Sequence, residues 1–231
     1  MRALGCALAL ALCGLSSVAS AQTVQRAFTE MAPLAKYLMP RDAEISLARS
    51  AAPQSIAVNA EVLILTTIGY QPAVNGTNGF VCLVARSWSA GFGDPDFWNP
   101  KLRVPICYNA LAAESQVPET IKRTQVALAS GSEAHIHAAL KGAFDSGELP
   151  RAKAGSVAYM MSKQTYFNRS EGHWLPHLMF FMPESDHKSW GAGLPDSPVI
   201  AHDLPDEHLT VLLIPISHWS DGSLAAGDRT S

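Results

Sequence analysis

Gly172-His-Trp-Leu-Pro-His-Leu-Met-Phe-Phe181 sets two histidines, His173 and His177, beside Trp174 and Pro176 and directly against a run of large apolar residues. Proline lacks a backbone N–H and clashes inside a helix, so Pro176 argues against a helical reading. The stretch reads as a loop feeding a core strand over 178–182. Upstream, 157–167 reads as another strand and 168–172 as the turn between them, which makes an antiparallel hairpin. Downstream, Leu209-Thr-Val-Leu-Leu-Ile-Pro-Ile216 is apolar on both parities, the pattern of a strand buried on two faces, and is expected at the centre of the sheet.

Toward the N-terminus, Glu61-Val-Leu-Ile-Leu-Thr-Thr-Ile68 has the same two-faced apolar character, and Phe80 to Trp88 reads as its hairpin partner. Between them, residues 69–79 carry Asn75-Gly76 and Asn78-Gly79, strong turn signals. Residues 24–38 place Phe28, Met31, Leu34, Ala35 and Leu38 at helical spacing, and a second short helix is expected between Pro40 and Pro53. Residues 89–118 read as a long irregular arm rich in glycine, proline and aromatics. Two helices follow, split at Ser130-Gly131-Ser132, with Ser132 as N-cap of the second. Residues 183–208 read as loop. Strands grouped by hairpins rather than alternating with helices predict an α+β fold: a mainly antiparallel sheet of about five strands covered by helices.

The first residues predict export. Arg2 is the only charge before residue 26, Ala3 to Val18 is apolar or small, and Ala19-Ser-Ala21 has the small-x-small form of a signal cleavage site. Residues 1–21 are therefore expected to be a signal peptide and 22–231 a single domain, periplasmic or secreted. Cys13 follows Leu10-Ala-Leu12, but the bulky leucine makes a poor lipoprotein signal. Two cysteines then remain, Cys82 and Cys107, and an even pair in an exported chain reads as a disulfide that ties the arm to the second strand. With a net charge of −3 the chain has no basic excess for nucleic acid or anionic lipid, and no later stretch is long and uncharged enough to span a membrane.

Six of the eight histidines lie between 173 and 218, interspersed with carboxylates, and imidazole titrates near neutrality and ligates metals. No spacing matches a zinc signature such as HExxH, and no glycine-rich phosphate loop is present, so the motifs name no cofactor. In one strand His173 and His177 would sit ~13 Å apart, too far to share an ion with ligands at ~2.1 Å. They stand instead as candidate acid/base groups, His177 where Pro176 hands the chain to the strand. His135 and His137 fall about 200° apart around their helix and cannot share a metal. Ser217-His-Trp-Ser-Asp221 collects triad residue types, but adjacency in sequence is no evidence of convergence. Aromatics dense in loops are a common way to build a binding surface, and Trp98, Trp174 and Trp190 are the candidate ligand contacts.

Four segments together, Gly76-Thr-Asn-Gly-Phe-Val-Cys-Leu-Val84, Asp96-Phe-Trp-Asn-Pro100, Tyr159-Met-Met-Ser-Lys-Gln164 and Gly172-His-Trp-Leu-Pro-His177, resemble exported bacterial proteins of unknown function. The resemblance implies export and a single domain, and carries over no functional residue. The residues themselves point to a binding or accessory domain that takes a small molecule or a protein of the cell envelope. The alternative is a hydrolase with histidine acid/base or metal chemistry around His173 and His177.

Overall fold

The structure is a computed structural model that describes residues 27–166 and 175–225. Eight strands form one sheet: β1 (Glu61–Thr66), β2 (Gly69–Val74), β3 (Val81–Ala85), β4 (Val104–Tyr108), β5 (Ser156–Met160), β6 (His177–Pro183), β7 (Ile200–Leu204) and β8 (Leu209–Pro215). Their order across the sheet is β2-β1-β3-β4-β5-β6-β8-β7. Every neighbouring pair is antiparallel except β1 and β3, which run parallel through Glu61–Val81 and Val62–Cys82. At the middle of the sheet β4 meets β5 through only two residue pairs, Cys107–Tyr159 and Tyr108–Ala158.

The α+β class holds, and the expected five strands become eight in a mixed sheet. The three missed strands share a cause. β2 contains Pro72 and little β-branched residue, which suits an edge strand where a missing N–H leaves no ladder bond unmade. β4 contains Pro105, opposite Val84 on β3, at a level that β5 does not reach. β7 lies in a segment whose prolines and glycines read as loop. Pairing with strong neighbours creates these strands; local propensity does not.

The predicted hairpin between 61–68 and 80–88 is also corrected. The chain reverses at Thr67 and Ile68, where Gly69 takes φ +101° and the Thr66 hydroxyl donates to the Gly69 carbonyl. β2 therefore pairs with β1, and β3 arrives parallel on β1's other side. β8 lies one strand from the edge rather than at the centre. The strand predicted over 157–167 ends at Met160, because the Met161 N–H turns away to the Ala51 carbonyl. The turn predicted over 168–172 lies outside the described residues.

Both faces of the sheet are covered. One carries α3 (Ala110–Ser130) and α4 (Glu133–Ser146), whose Ala112, Ala127, Ile136 and Leu140 join Leu63, Leu83, Ile106, Phe181, Val211 and Leu213 in the main core. The opposite face carries α1 (Arg41–Arg49) and the single turn α2 (Gln54–Ala57), with Leu47, Ala48 and Ala51 over Val62, Val84 and the two cysteines. This two-sided cover explains why β1 is apolar on both parities. The break between α3 and α4 falls as expected: Gly131 takes the left-handed C-cap conformation at φ +58°, and the Ser132 hydroxyl accepts from the His135 N–H.

The arm over 89–118 is shorter than predicted, since it contains β4 and the first turns of α3. Asn109 starts that helix by accepting from the Ala112 N–H at 2.9 Å, and the helix runs through Pro118. The helix predicted over 24–38 is, from residue 27 on, irregular chain with one 3-10 turn, Leu34–Lys36; Pro33 supplies no N–H. Its apolar residues Phe28, Met31, Leu34 and Leu38 still pack on the main core.

Two covalent and electrostatic ties fix α1 and the arm. Cys82 and Cys107 face each other across β3 and β4, form the expected disulfide, and are fully buried beneath α1. Glu44 of α1 meets Arg86, just past β3, at 2.7 Å, and neither side chain is exposed. The same Glu44 oxygen accepts from the Leu65 N–H at 2.9 Å. Arg86 also donates through Nε to the Tyr37 carbonyl at 2.8 Å and through Nη1 to the Val84 carbonyl. One guanidinium thus joins the N-terminal segment, α1, β1 and β3.

Candidate functional site

The histidines of the C-terminal half do not share one site among the described residues. His177 opens β6, is buried, and sits opposite Met160 and Pro215. Its Nδ1 lies 2.8 Å from the Leu175 carbonyl, so Nδ1 carries the proton and donates. Burial holds its pKa below the usual histidine range, against the opposing pull of that hydrogen bond, and the ring is neutral at pH 7. His173 and Trp174 lie outside the described residues. His187 Nδ1 meets Asp203 at 2.6 Å, His208 lies 3.5 Å from Asp145, and His218 Nδ1 lies 2.9 Å from the Ser217 hydroxyl. Among the described residues no three ligating side chains converge on a point that could hold a metal ion.

The loop aromatics divide. Trp98 is buried, meets Phe97 edge to face at 4.8 Å, and offers its carbonyl to the Tyr37 hydroxyl. Trp88 is buried too and donates its indole N–H to the Thr124 hydroxyl at 3.0 Å. These rings fix the arm to the core. Trp190, by contrast, faces solvent.

Trp190 belongs to the segment that builds a recess beside β7. After β6, the Asp186 side chain accepts from the Lys188 N–H and starts a 3-10 turn, His187–Trp190, which Gly191 ends at φ +80°. The Ser197 N–H then donates to the Leu194 carbonyl, and the chain enters β7 at the rim of the sheet. The result is a cleft of about 380 Å³ with His187, Ala192, Leu194, Ser197, Ile200 and Ala201 in its walls. That volume falls within the range of small-ligand sites. Ala192 is buried beneath it, and the His187–Asp203 pair holds the turn to β7.

Charge is concentrated here. Residues 184–207 contain six carboxylates, Glu184, Asp186, Asp196, Asp203, Asp206 and Glu207, against the single cation Lys188. That is −5 from Asp, Glu and Lys in a chain whose whole net charge is −3. Two of the six are held at the β7–β8 turn. Asp206 meets His137 at 2.9 Å, and Glu207 meets the buried Arg123 at 3.1 Å. Arg123 also binds Glu119 at 2.7 Å and the carbonyls of Trp88 and Ala90. Burial, with Glu119 nearby, pushes the Glu207 carboxyl up to about 7 despite the guanidinium.

Sequence reasoning marked Trp190 but not the recess that the residues after it line. The available signal was Leu194, Val199 and Ile200 set among aspartates in a segment otherwise made of turn residues. Compared with protein-family models, with curated proteins and with solved structures, the chain matches none.

Proposed function

We propose that this chain is an exported binding domain whose ligand site is the cleft beside β7. The observation that carries the reading is where apolar surface is left uncovered. Leu194 and Ile200, exposed to 57% and 39%, line one recess, and Trp190, exposed to 51%, ends the 3-10 turn that leads into its lining residues. Large apolar side chains grouped at a cleft mark interaction sites, whereas scattered ones need no explanation. The buried disulfide and the leader-like N-terminus fit an oxidising compartment outside the cytoplasm. A hydrolase centred on His177 has weaker support, because that ring is buried and its Nδ1 proton is engaged by the Leu175 carbonyl.

The apolar walls, built by a segment that carries −5 from Asp, Glu and Lys, select a ligand that pairs a cation with an apolar body. The test uses tryptamine, an indole bearing an ammonium, titrated into the ¹⁵N-labelled protein. Amide shifts are expected at Ala192 to Ala201 and are expected to vanish in Leu194→Asp. Shifts centred on His177, or unchanged by Leu194→Asp, would overturn the reading.

A further inference from the structure

We propose that β7 is a docking edge for an extended, cationic segment of another protein, taken up by strand addition with its alternate apolar side chains seated in the adjoining cleft. The inference rests on the reading of that cleft as the binding site and names its partner class.

The two edges of the sheet are treated differently. β2 carries Pro72, its ladder with β1 is bulged at Val62 and Leu63, and Arg41 from α1 donates to the Ala73 carbonyl. These are the usual devices that blunt an exposed edge. β7 has none of them. Its five residues pair with β8 in unbroken register, from Ile200–Leu213 to Leu204–Leu209, and among the described residues with no other strand. It contains neither proline nor lysine. Its one carboxylate, Asp203, is occupied inside the chain by His187 at 2.6 Å and by the Thr210 hydroxyl at 2.9 Å, so it does not guard the edge. An unpaired row of backbone donors and acceptors is a template for another strand.

The surroundings set the partner's chemistry. Side chains on one face of an added strand recur every ~7 Å, a spacing that lets one of them enter the cleft beside Ile200 and Ala201. Asp186 and Asp196 directly precede the lining residues His187 and Ser197 in the chain, in the segment with six carboxylates and one lysine. Lysine or arginine in the docked segment complements the negative charge of residues 184–207. A second copy of the chain is disfavoured as the occupant, because edge-to-edge pairing of β7 would bring two such acidic segments together.

The probe is the capped heptapeptide Lys-Val-Lys-Val-Lys-Val-Lys, titrated into the full protein, with two controls that are N-methylated at alternate amides in opposite phase. Strand addition predicts slowed amide exchange within Ile200–Leu204. It also predicts that one methylated control binds at least about tenfold more weakly while the other binds like the parent, since only one set of amides faces β7. Asp196→Lys should weaken the parent peptide. Equal binding of all three peptides, binding elsewhere, or no binding overturns the proposal. Concentration-dependent dimers that protect Ile200–Leu204 without peptide overturn it in favour of a second copy. If tryptamine still enters the cleft while the peptide fails, strand addition alone falls; if neither enters, the binding reading falls with it.

Discussion

Replacing Arg86 by methionine is the most informative perturbation of this fold. Methionine keeps an unbranched apolar stem but removes every donor. Glu44 Oε1 then loses its 2.7 Å partner, and the Tyr37 and Val84 carbonyls lose their charged donor, all in a site with no exposed surface. Removing one member of a buried ion pair costs about 3–5 kcal/mol, because the other charge stays desolvated. In a domain of this size each kcal/mol shifts the midpoint by about 2–4 °C, so Tm should fall by about 6–20 °C. The decisive variant is the double one, Arg86→Met with Glu44→Leu. Removing both charges deletes the desolvation penalty, so the double variant should regain most of the loss. Urea melts of the wild type, both single variants and the double variant close the cycle. A cost below about 1 kcal/mol for Arg86→Met, or a double variant less stable than Arg86→Met alone, would refute the argument.

Cleaving the Cys82–Cys107 bond should lower stability by about 3–4 kcal/mol on the chain-entropy account, read as a drop in urea midpoint in the Cys82→Ala, Cys107→Ala variant. An unchanged midpoint would remove the bond's stabilising role. Glu207 gives a pH dependence of opposite sign to that of a usual paired carboxylate. Its folded pKa is raised from 4.5 to about 7, so between those values the folded state holds the proton more tightly, and stability falls as pH rises through that window. Glu207→Gln should remove this slope, measured as ΔG against pH from urea melts at pH 4.5 to 7.5. A wild type and variant with parallel profiles would refute it.

What the sequence made legible follows from which forces were local. β1, β3, β6 and β8 announce themselves because their β-branched and aromatic runs need burial on two faces. The α3–α4 break is written in Ser130-Gly131-Ser132 because capping is chemistry within a few residues. The Cys82–Cys107 pair follows from counting. β2, β4 and β7 stay hidden because each carries or adjoins proline and exists by virtue of its neighbour's ladder. The Glu44–Arg86 lock is equally silent, since nothing near either residue in the chain states that the other will meet it. At the candidate site, Trp190 stood out by type, whereas the cleft depends on the Gly191 turn and on β7 returning beside it. Trp98 carries the same residue type and lies in the core, because a ring in a loop is read by what it packs on, and no local pattern records that.

The narrow meeting of β4 and β5 sets how the molecule bears load. Two ladder pairs, with the Arg103–Tyr166 bridge and the Asn109 N–H donated to the Val157 carbonyl beside them, stitch one four-stranded plate, β2-β1-β3-β4, to another, β5-β6-β8-β7. The girder laid across that seam is α3, which rests on β2, β3 and β4 on one side and on β5 on the other. Bending there would tilt the plate that ends in β7 while leaving the ladder within each plate intact. A force applied at the rim of the sheet is therefore felt first by a helix on its back.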